Sequence, residues 1–290
     1  MSSFKAFRIH EIDRRIVARF DDVTLDDLGP GEVASSGDPR YTPGQSVLVT
    51  GCGLSETHDG GYAEYARLSG EWVIPLPPGL NTMDVMKIGT AGFTAALAIH
   101  RMEHNGQAPS QGPVVVTGAT GGVGSIATNM LAGRGYEVVA VSGKPDADDY
   151  LRDLGAARIL RRQDIDLGSK PLEKILWAGA IDNVGGELLS WLTRTVDLWG
   201  NIASIGLAGS ADLKTTVMPF ILRGVNLLGI NSVFTPRETR LAVWDRIAGD
   251  LRPAKLDHIC KKVVPFAELP GQFDDYLEGR ITGRTVVKIA

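Results

Sequence analysis

The sequence predicts an α/β protein in which a parallel sheet, covered on both faces by helices, interrupts a second, β-rich domain. Three observations predict it. Short apolar runs alternate with helical stripes through the middle of the chain, glycines cluster between them, and both flanks lose the helical period.

Val114-Val-Val-Thr-Gly118 reads as a short buried strand that stops at glycine. Ser125 to Leu131 follows as a helix, with Ile126, Met130 and Leu131 on one stripe. Glu137 to Ser142 is the next strand, and Asp148 to Leu154 a helix stopped by Gly155. Strands at Ala157 to Leu160, Ala180 to Val184, Asn201 to Ile205 and Asn226 to Ile230 continue the pattern, with a helix from Glu187 to Val196. Strands this apolar belong to a parallel sheet buried on both faces. Residues 1–80 instead carry short strands such as Ser46 to Thr50. The C-terminus returns to strand, helix and strand at Lys262 to Phe266, Phe273 to Glu278 and Thr285 to Ile289. The flanks therefore read as one mixed domain, residues 1–88 and 252–290, around an α/β domain at 89–251.

Composition bounds the partners. The chain has 290 residues, 43% apolar and 22% charged, with a net charge of -4 and 35 glycines. No basic field for nucleic acid exists, no stretch reaches a membrane-spanning length, and the start lacks the apolar run of a signal peptide. Two cysteines, Cys52 and Cys260, make no disulfide framework and fit a reducing compartment, so cytoplasm is expected.

The chemistry centres on Thr117-Gly-Ala-Thr-Gly-Gly-Val-Gly-Ser125. Placed after a strand and before a helix, Ala119-x-Gly121-x-x-Gly124 matches the dinucleotide fingerprint with alanine at its first position. Such glycines let backbone approach a pyrophosphate, and the helix N-terminus stabilises its charge. Ala119, Thr120, Gly121, Gly122, Val123 and Gly124 are therefore the expected pyrophosphate site. An NAD site usually ends its second strand in Asp or Glu, which binds the ribose hydroxyl. Here that strand ends Val141-Ser142-Gly143-Lys144, and the first acid is Asp146. Ser142 can donate to a phosphate and Lys144 can neutralise it, with Arg158, Arg161 and Arg162 nearby, so NADPH is the expected cofactor.

The same stretch fits the glycine pattern of short-chain dehydrogenases. Those enzymes need a downstream Tyr-x-x-x-Lys, and four residues past Tyr136, Tyr150 and Tyr276 stand Ala140, Leu154 and Arg280. That reading fails. His100 and His104 share a helix face, but without a third ligand or a cysteine cluster no metal site is expected. Cys52 and His58 carry no acyl-transfer motif, so no covalent nucleophile is expected either.

Several further segments carry a resemblance. Gly60-Gly-Tyr-Ala-Glu-Tyr-Ala66, Trp72 to Gly79, Gly89 to Ala95, Trp177 to Asp182 and Thr216 to Arg223, with the glycine turn, resemble the zinc-free medium-chain reductases of the NADPH-dependent acrylyl-CoA reductase and quinone oxidoreductase kind. The resemblance implies a Rossmann domain inserted in a GroES-like catalytic domain. It implies Ser142, Gly143, Lys144 and Arg158 at the 2′-phosphate, and Leu207, Ile221 and Ser232 along the nicotinamide, although Leu207 and Ile221 read equally well as core. It also implies a homodimer joined through an edge strand, Asn226 to Val233. The implied reaction is reduction of a carbon–carbon double bond conjugated to a thioester, acrylyl-CoA to propionyl-CoA, or reduction of a quinone. Family members carry several dozen residues between the positions of Val33 and Asp38, including those facing nicotinamide and substrate. Here Gly31-Glu-Val33 runs almost directly into Ala34-Ser-Ser-Gly-Asp-Pro39. No catalytic residue is therefore assigned, and a catalytically impaired NADPH-binding protein is the third expectation.

Overall fold

The computed structural model describes residues 3–12, 15–24 and 36–289. The junction expected to lack a segment begins outside the described residues, since 25–35 are not among them. In chain order the elements are β1 (Ser3–Ile12), β2 (Arg15–Thr24), β3 (Val47–Leu48), β4 (Ile74–Pro75), α1 (Thr82–His104), β5 (Val114–Val116), α2 (Gly122–Gly133), β6 (Val138–Ser142), α3 (Asp148–Asp153) and β7 (Arg158–Arg161). They continue as β8 (Trp177–Asp182), α4 (Gly186–Thr195), β9 (Val196–Ser204), α5 (Met218–Arg223), β10 (Asn226–Gly229), α6 (Arg237–Ala248), α7 (Leu256–Ile259), β11 (Lys262–Pro265), α8 (Phe273–Leu277) and β12 (Thr285–Lys288).

Six strands form one sheet in the order β10-β9-β8-β5-β6-β7, and every pairing in it is parallel. The apolar runs of the sequence follow from this burial. Val114 and Val116 face one core with Val138, Ala140, Ile181 and Ala203, while Val115, Val139, Val141 and Ile202 face the other. Alternate residues point to opposite faces, so a strand covered on both must be apolar throughout. Each buried valine contributes about 1.5–3 kcal/mol on transfer from water. The first core is filled from α1, α2 and α6 by Phe93, Ile126 and Trp244, and the second from α4 by Leu188 and Trp191.

The strand order reverses between β5 and β8, since β6 lies on one side of β5 and β8 on the other. Ligands of open parallel sheets sit in the crevice beyond the strand C-termini at such a point. The turn from β5 into α2 lies there.

The two flanks meet outside the sheet. β1 and β2 form an antiparallel hairpin and β11 pairs parallel with β12. Phe7 touches Phe20 at 5.0 Å and Phe273 at 5.6 Å, and Phe20 meets Phe266 edge-on at 4.8 Å between ring centres. α1 extends well beyond the helix face that His100 and His104 predict, back to Thr82. It crosses the position at which a domain boundary was drawn, and residue 89 on that boundary is a glycine with non-helical angles, φ 52° and ψ -160°. The edge strand β10 stops at Gly229 rather than running to Val233. Asn231 ends it, its Oδ1 accepting from the Val233 and Phe234 amides and folding the chain away.

Candidate dinucleotide site

The glycine turn forms as its spacing requires. Gly118 has φ +59°, and a Cβ on Gly124 would lie 2.3 Å from the Gly118 oxygen and 2.7 Å from Ala119 Cα. Only glycine lets the helix start this close to the strand. Gly121 differs: a Cβ there would make one ordinary contact, 3.4 Å from Gly118 O, so packing within the chain does not account for it. Gly121 is also the N-cap of α2, with no side-chain hydrogen bond to the first-turn amides. Those amides and the helix dipole make an anion site. Ala119 and Thr120 are buried under the turn, while Gly121 is exposed and Gly122 and Val123 half-buried.

Beneath the turn lies a polar knot. The Thr117 hydroxyl donates to Asp182 Oδ1 at 2.6 Å and accepts from the Asn183 amide at 3.0 Å. The Gly185 amide donates to Asp182 Oδ2 at 2.8 Å. Burial raises the Asp182 carboxyl above its ordinary range, opposed by those donors. Asn183 Nδ2 donates to the Thr117 carbonyl at 2.8 Å, yet its Oδ1 is buried with no partner. An unsatisfied acceptor at a crevice costs free energy unless a ligand or water supplies a donor.

At the end of β6, Ser142 is 2% exposed and its Oγ accepts from the Lys144 amide at 3.0 Å. Its hydroxyl proton is left to donate outward. Gly143 is exposed, and no atom lies within 4 Å of where its Cβ would be.

Two cations depart from expectation. Arg158 begins β7 opposite Val139, whereas Arg161 at the strand's other end is opposite Ser142. Arg158 instead pairs with Glu137 at 3.2 Å and lies over the Trp177 ring. A residue at the start of a parallel strand faces away from the crevice at the strand's C-terminal end, so Arg158 is at the wrong end. The Lys144 ammonium turns from the crevice to the Arg280 and Ile281 carbonyls, 3.1 and 2.6 Å away, and to Thr282 Oγ1 at 3.0 Å. Burial pushes its pKa down. Arg161 holds the same turn, donating to the Lys144 and Pro145 carbonyls at 2.5 and 2.7 Å and pairing with Asp148. Arg162, one residue beyond β7, is exposed and makes no ion pair among the described residues. Its Nη2 is 4.0 Å from where a Gly209 Cβ would stand, over the crevice.

Sequence reasoning missed the C-terminal segment, which crosses the glycine turn. The Gly283 amide donates to the Thr120 carbonyl at 2.9 Å. The stem of Arg284 lies 3.0 Å from where a Gly122 Cβ would be, and its Nε donates to the Lys87 carbonyl. No local pattern signals a contact between positions so far apart.

Leu207 and Ile221 are not core residues: they are 68% and 71% exposed. Ser232 lies against the loop after β3, where a Gly51 Cβ would stand 2.8 Å from the Ser232 oxygen. An open groove of about 520 Å³ between α1 and β10 is lined in part by His100 and His104 and contains none of the residues expected at the dinucleotide. Burial lowers the His100 pKa, with Arg246 and His104 adding to it. No group of three His, Cys, Asp or Glu side chains that could hold a metal occurs among the described residues. No helix of the described residues is long and apolar enough to cross a membrane.

Comparison with known proteins fits this architecture. A family model described as zinc-binding dehydrogenase matches residues 122–248. The Bacillus subtilis protein YhfP, whose name is that of a quinone oxidoreductase, is 48% identical over 260 residues, 89% of this chain and 79% of its own. The acrylyl-CoA reductase AcuI of Ruegeria pomeroyi is 48% identical over 89% of this chain and 78% of its own. The crystal structure of YhfP with NAD bound superposes with a TM-score of 0.96 at 39% identity, covering all of both chains. The YhdH oxidoreductase of Salmonella enterica in complex with NADP gives 0.94 at 39% identity, covering 99% of this chain and 100% of that one. The fold and site are those of a two-part, nucleotide-binding reductase. The chain belongs to the medium-chain dehydrogenase/reductase family, in the group that holds the acrylyl-CoA reductases and YhfP.

Proposed function

We propose that this protein is an NADPH-dependent reductase of an activated carbon–carbon double bond, with acrylyl-CoA as substrate and propionyl-CoA as product. The observation that carries the reading is the turn from Gly118 to Gly124: a helix N-terminus without a capping side chain, beside the unpartnered Asn183 Oδ1. The residues fit the cofactor. The amides of Gly121 to Gly124 would hold the diphosphate, and Asn183 would accept from an adenosine-side hydroxyl or amine. Ser142, Gly143 and Arg162 would hold the 2′-phosphate, with Lys144 and Arg161 shaping their turn. In this reading Arg162 takes the part first expected of Arg158. Leu207, Ile221 and Ser232 would flank the nicotinamide, which gives the two exposed side chains an apolar face to cover. When bound, NADPH supplies a hydride.

The residues supply position and electrostatics, for which neither a metal nor a nucleophile is required. Zinc independence is tested by dialysis against a chelator, which should leave the rate unchanged. We place the protein in the cytoplasm, a reading supported by its two free cysteines. We also propose a homodimer joined at β10, supported by its place at the sheet edge.

A quinone reductase is the second reading, favoured by the name of YhfP. Oxidation of NADPH followed with acrylyl-CoA and with a benzoquinone separates the two. Turnover of the thioester well above that of the quinone is expected, and turnover of the quinone alone would overturn the first reading. NADPH binding without reduction of either would make the protein a cofactor binder with an impaired catalytic domain.

A further inference from the structure

Helix α6 carries a charge that the dinucleotide site does not explain. Arg240 is 2% exposed, and no carboxylate pairs with it among the described residues. Burying an unpaired charge is costly unless hydrogen bonds replace its water. Its guanidinium replaces them with backbone. Nη1 donates to the Thr50 carbonyl at 2.5 Å and reaches Thr50 Oγ1 at 3.3 Å. Nη2 donates to the Ser232 and Val233 carbonyls at 3.2 and 3.0 Å. The guanidinium carbon sits 4.9 Å from the centre of the Phe93 ring of α1. Burial lowers its pKa.

These acceptors lie on two strips of backbone that the sequence sets far apart. One is the loop after β3, from the β-rich part; the other follows β10, from the sheet. They meet closely: the Cys52 amide donates to the Val233 carbonyl at 2.9 Å, and Gly51, at φ +70°, leaves no room for a Cβ against Ser232. One turn earlier on α6, Arg237 donates to the Glu71 and Val73 carbonyls and to Tyr41 Oη. The first turn of α6 therefore fastens both parts of the molecule at two points, and the inner one lies beside Ser232.

We propose that Arg240 is a positioning residue for the reduction: its planar fork fixes the gap between the loop at 50–52 and the segment at 232–233, and so the depth at which nicotinamide and substrate meet. The proposal rests on the reading of Ser232 as a neighbour of the nicotinamide. A lysine cannot replace it, because a single ammonium lacks the fork that reaches both strips at once. A misplacement of about 1 Å in such a gap can cost on the order of 100-fold in rate.

The test compares wild type with Arg240→Lys and Gly51→Ala, the second opening the same seam while leaving the arginine in place. NADPH affinity is read by fluorescence titration, and kcat is measured with NADPH and with cofactor deuterated at the transferred position. Both variants should bind NADPH within about threefold of wild type, lose roughly 10- to 100-fold in kcat, and show a larger isotope effect, as hydride transfer becomes rate-limiting. Hydrogen exchange at the Cys52 amide should quicken in both. A purely structural arginine would lower Tm and leave kcat and the isotope effect of the folded enzyme unchanged, which overturns the proposal. Variants that weaken NADPH binding with kcat intact also overturn it. If wild type itself reduces neither acrylyl-CoA nor quinone, the functional reading fails and this proposal falls with it.

Discussion

Arg158 and Arg162 stand four positions apart, and their surroundings give them opposite fates. Arg158 starts β7, where Glu137 and Trp177 absorb its charge, while Arg162 follows the strand's end without an ion pair among the described residues. Arg162→Ala should weaken NADPH binding by about 1.5–3 kcal/mol, the worth of a hydrogen bond to a charged group, and leave NADH binding unchanged. Arg158→Ala should alter neither by more than about twofold. Calorimetric titration of both variants with both nucleotides checks this, and the reverse pattern would return the phosphate to Arg158. The expected strand at Ala157 to Leu160 already sets Arg158 near its start and Arg162 past its end, but the groups that absorb the Arg158 charge, Glu137 and Trp177, come from elsewhere in the chain. Lys144 was legible only in part for a related reason. Its place after Ser142 follows from the strand, but the carbonyls that capture its ammonium belong to residues 280 and 281, far along the chain.

The β5–turn–α2 unit was readable in the sequence because the fingerprint Ala119-x-Gly121-x-x-Gly124, a valine run and a helical stripe agree with one another. Most of α1 was not. From Gly92 to Ile99 every residue is buried, so no polar face marks a helical period, and Gly89 breaks the pattern further. Burial holds the Asp182 carboxyl above its ordinary value of 3.8. The folded chain therefore keeps that proton longer than the unfolded one. The group favours folding below the unfolded pKa, and that contribution is lost as pH rises through the folded value. Asp182→Asn removes the titration. Thermal unfolding from about pH 4 to pH 7 should show wild type losing stability relative to the variant as pH rises. A difference independent of pH would mean that the carboxyl is not perturbed in this way.

Across the whole molecule, apolar side chains stand exposed in several places, two of them beside the edge strand: Leu198 and Trp199 are 58% and 73% exposed, and the Trp199 carbonyl accepts from Asn226 at the start of β10. Contiguous exposed apolar surface usually marks an interface. Sedimentation should find a species at twice the 31.0 kDa chain mass, and Trp199→Glu should shift it toward monomer while the fold is kept. A wild type that is monomeric at micromolar concentration would remove the dimer proposal. Much of this scale was hidden in the sequence. The parallel sheet followed from its apolar strands, but the strap over the glycine turn and the seam at Arg240 join residues that only the folded chain brings together.

The proposed function stands on a phosphorylated dinucleotide held by the β5–α2 turn and the end of β6. Isothermal titration of the wild-type chain with NADPH and NADH at one ionic strength tests it most directly. One site per chain is expected, with NADPH bound at least about tenfold tighter than NADH, from charge-assisted contacts to the 2′-phosphate. Equal affinities, a preference for NADH, or no binding of either nucleotide would contradict it.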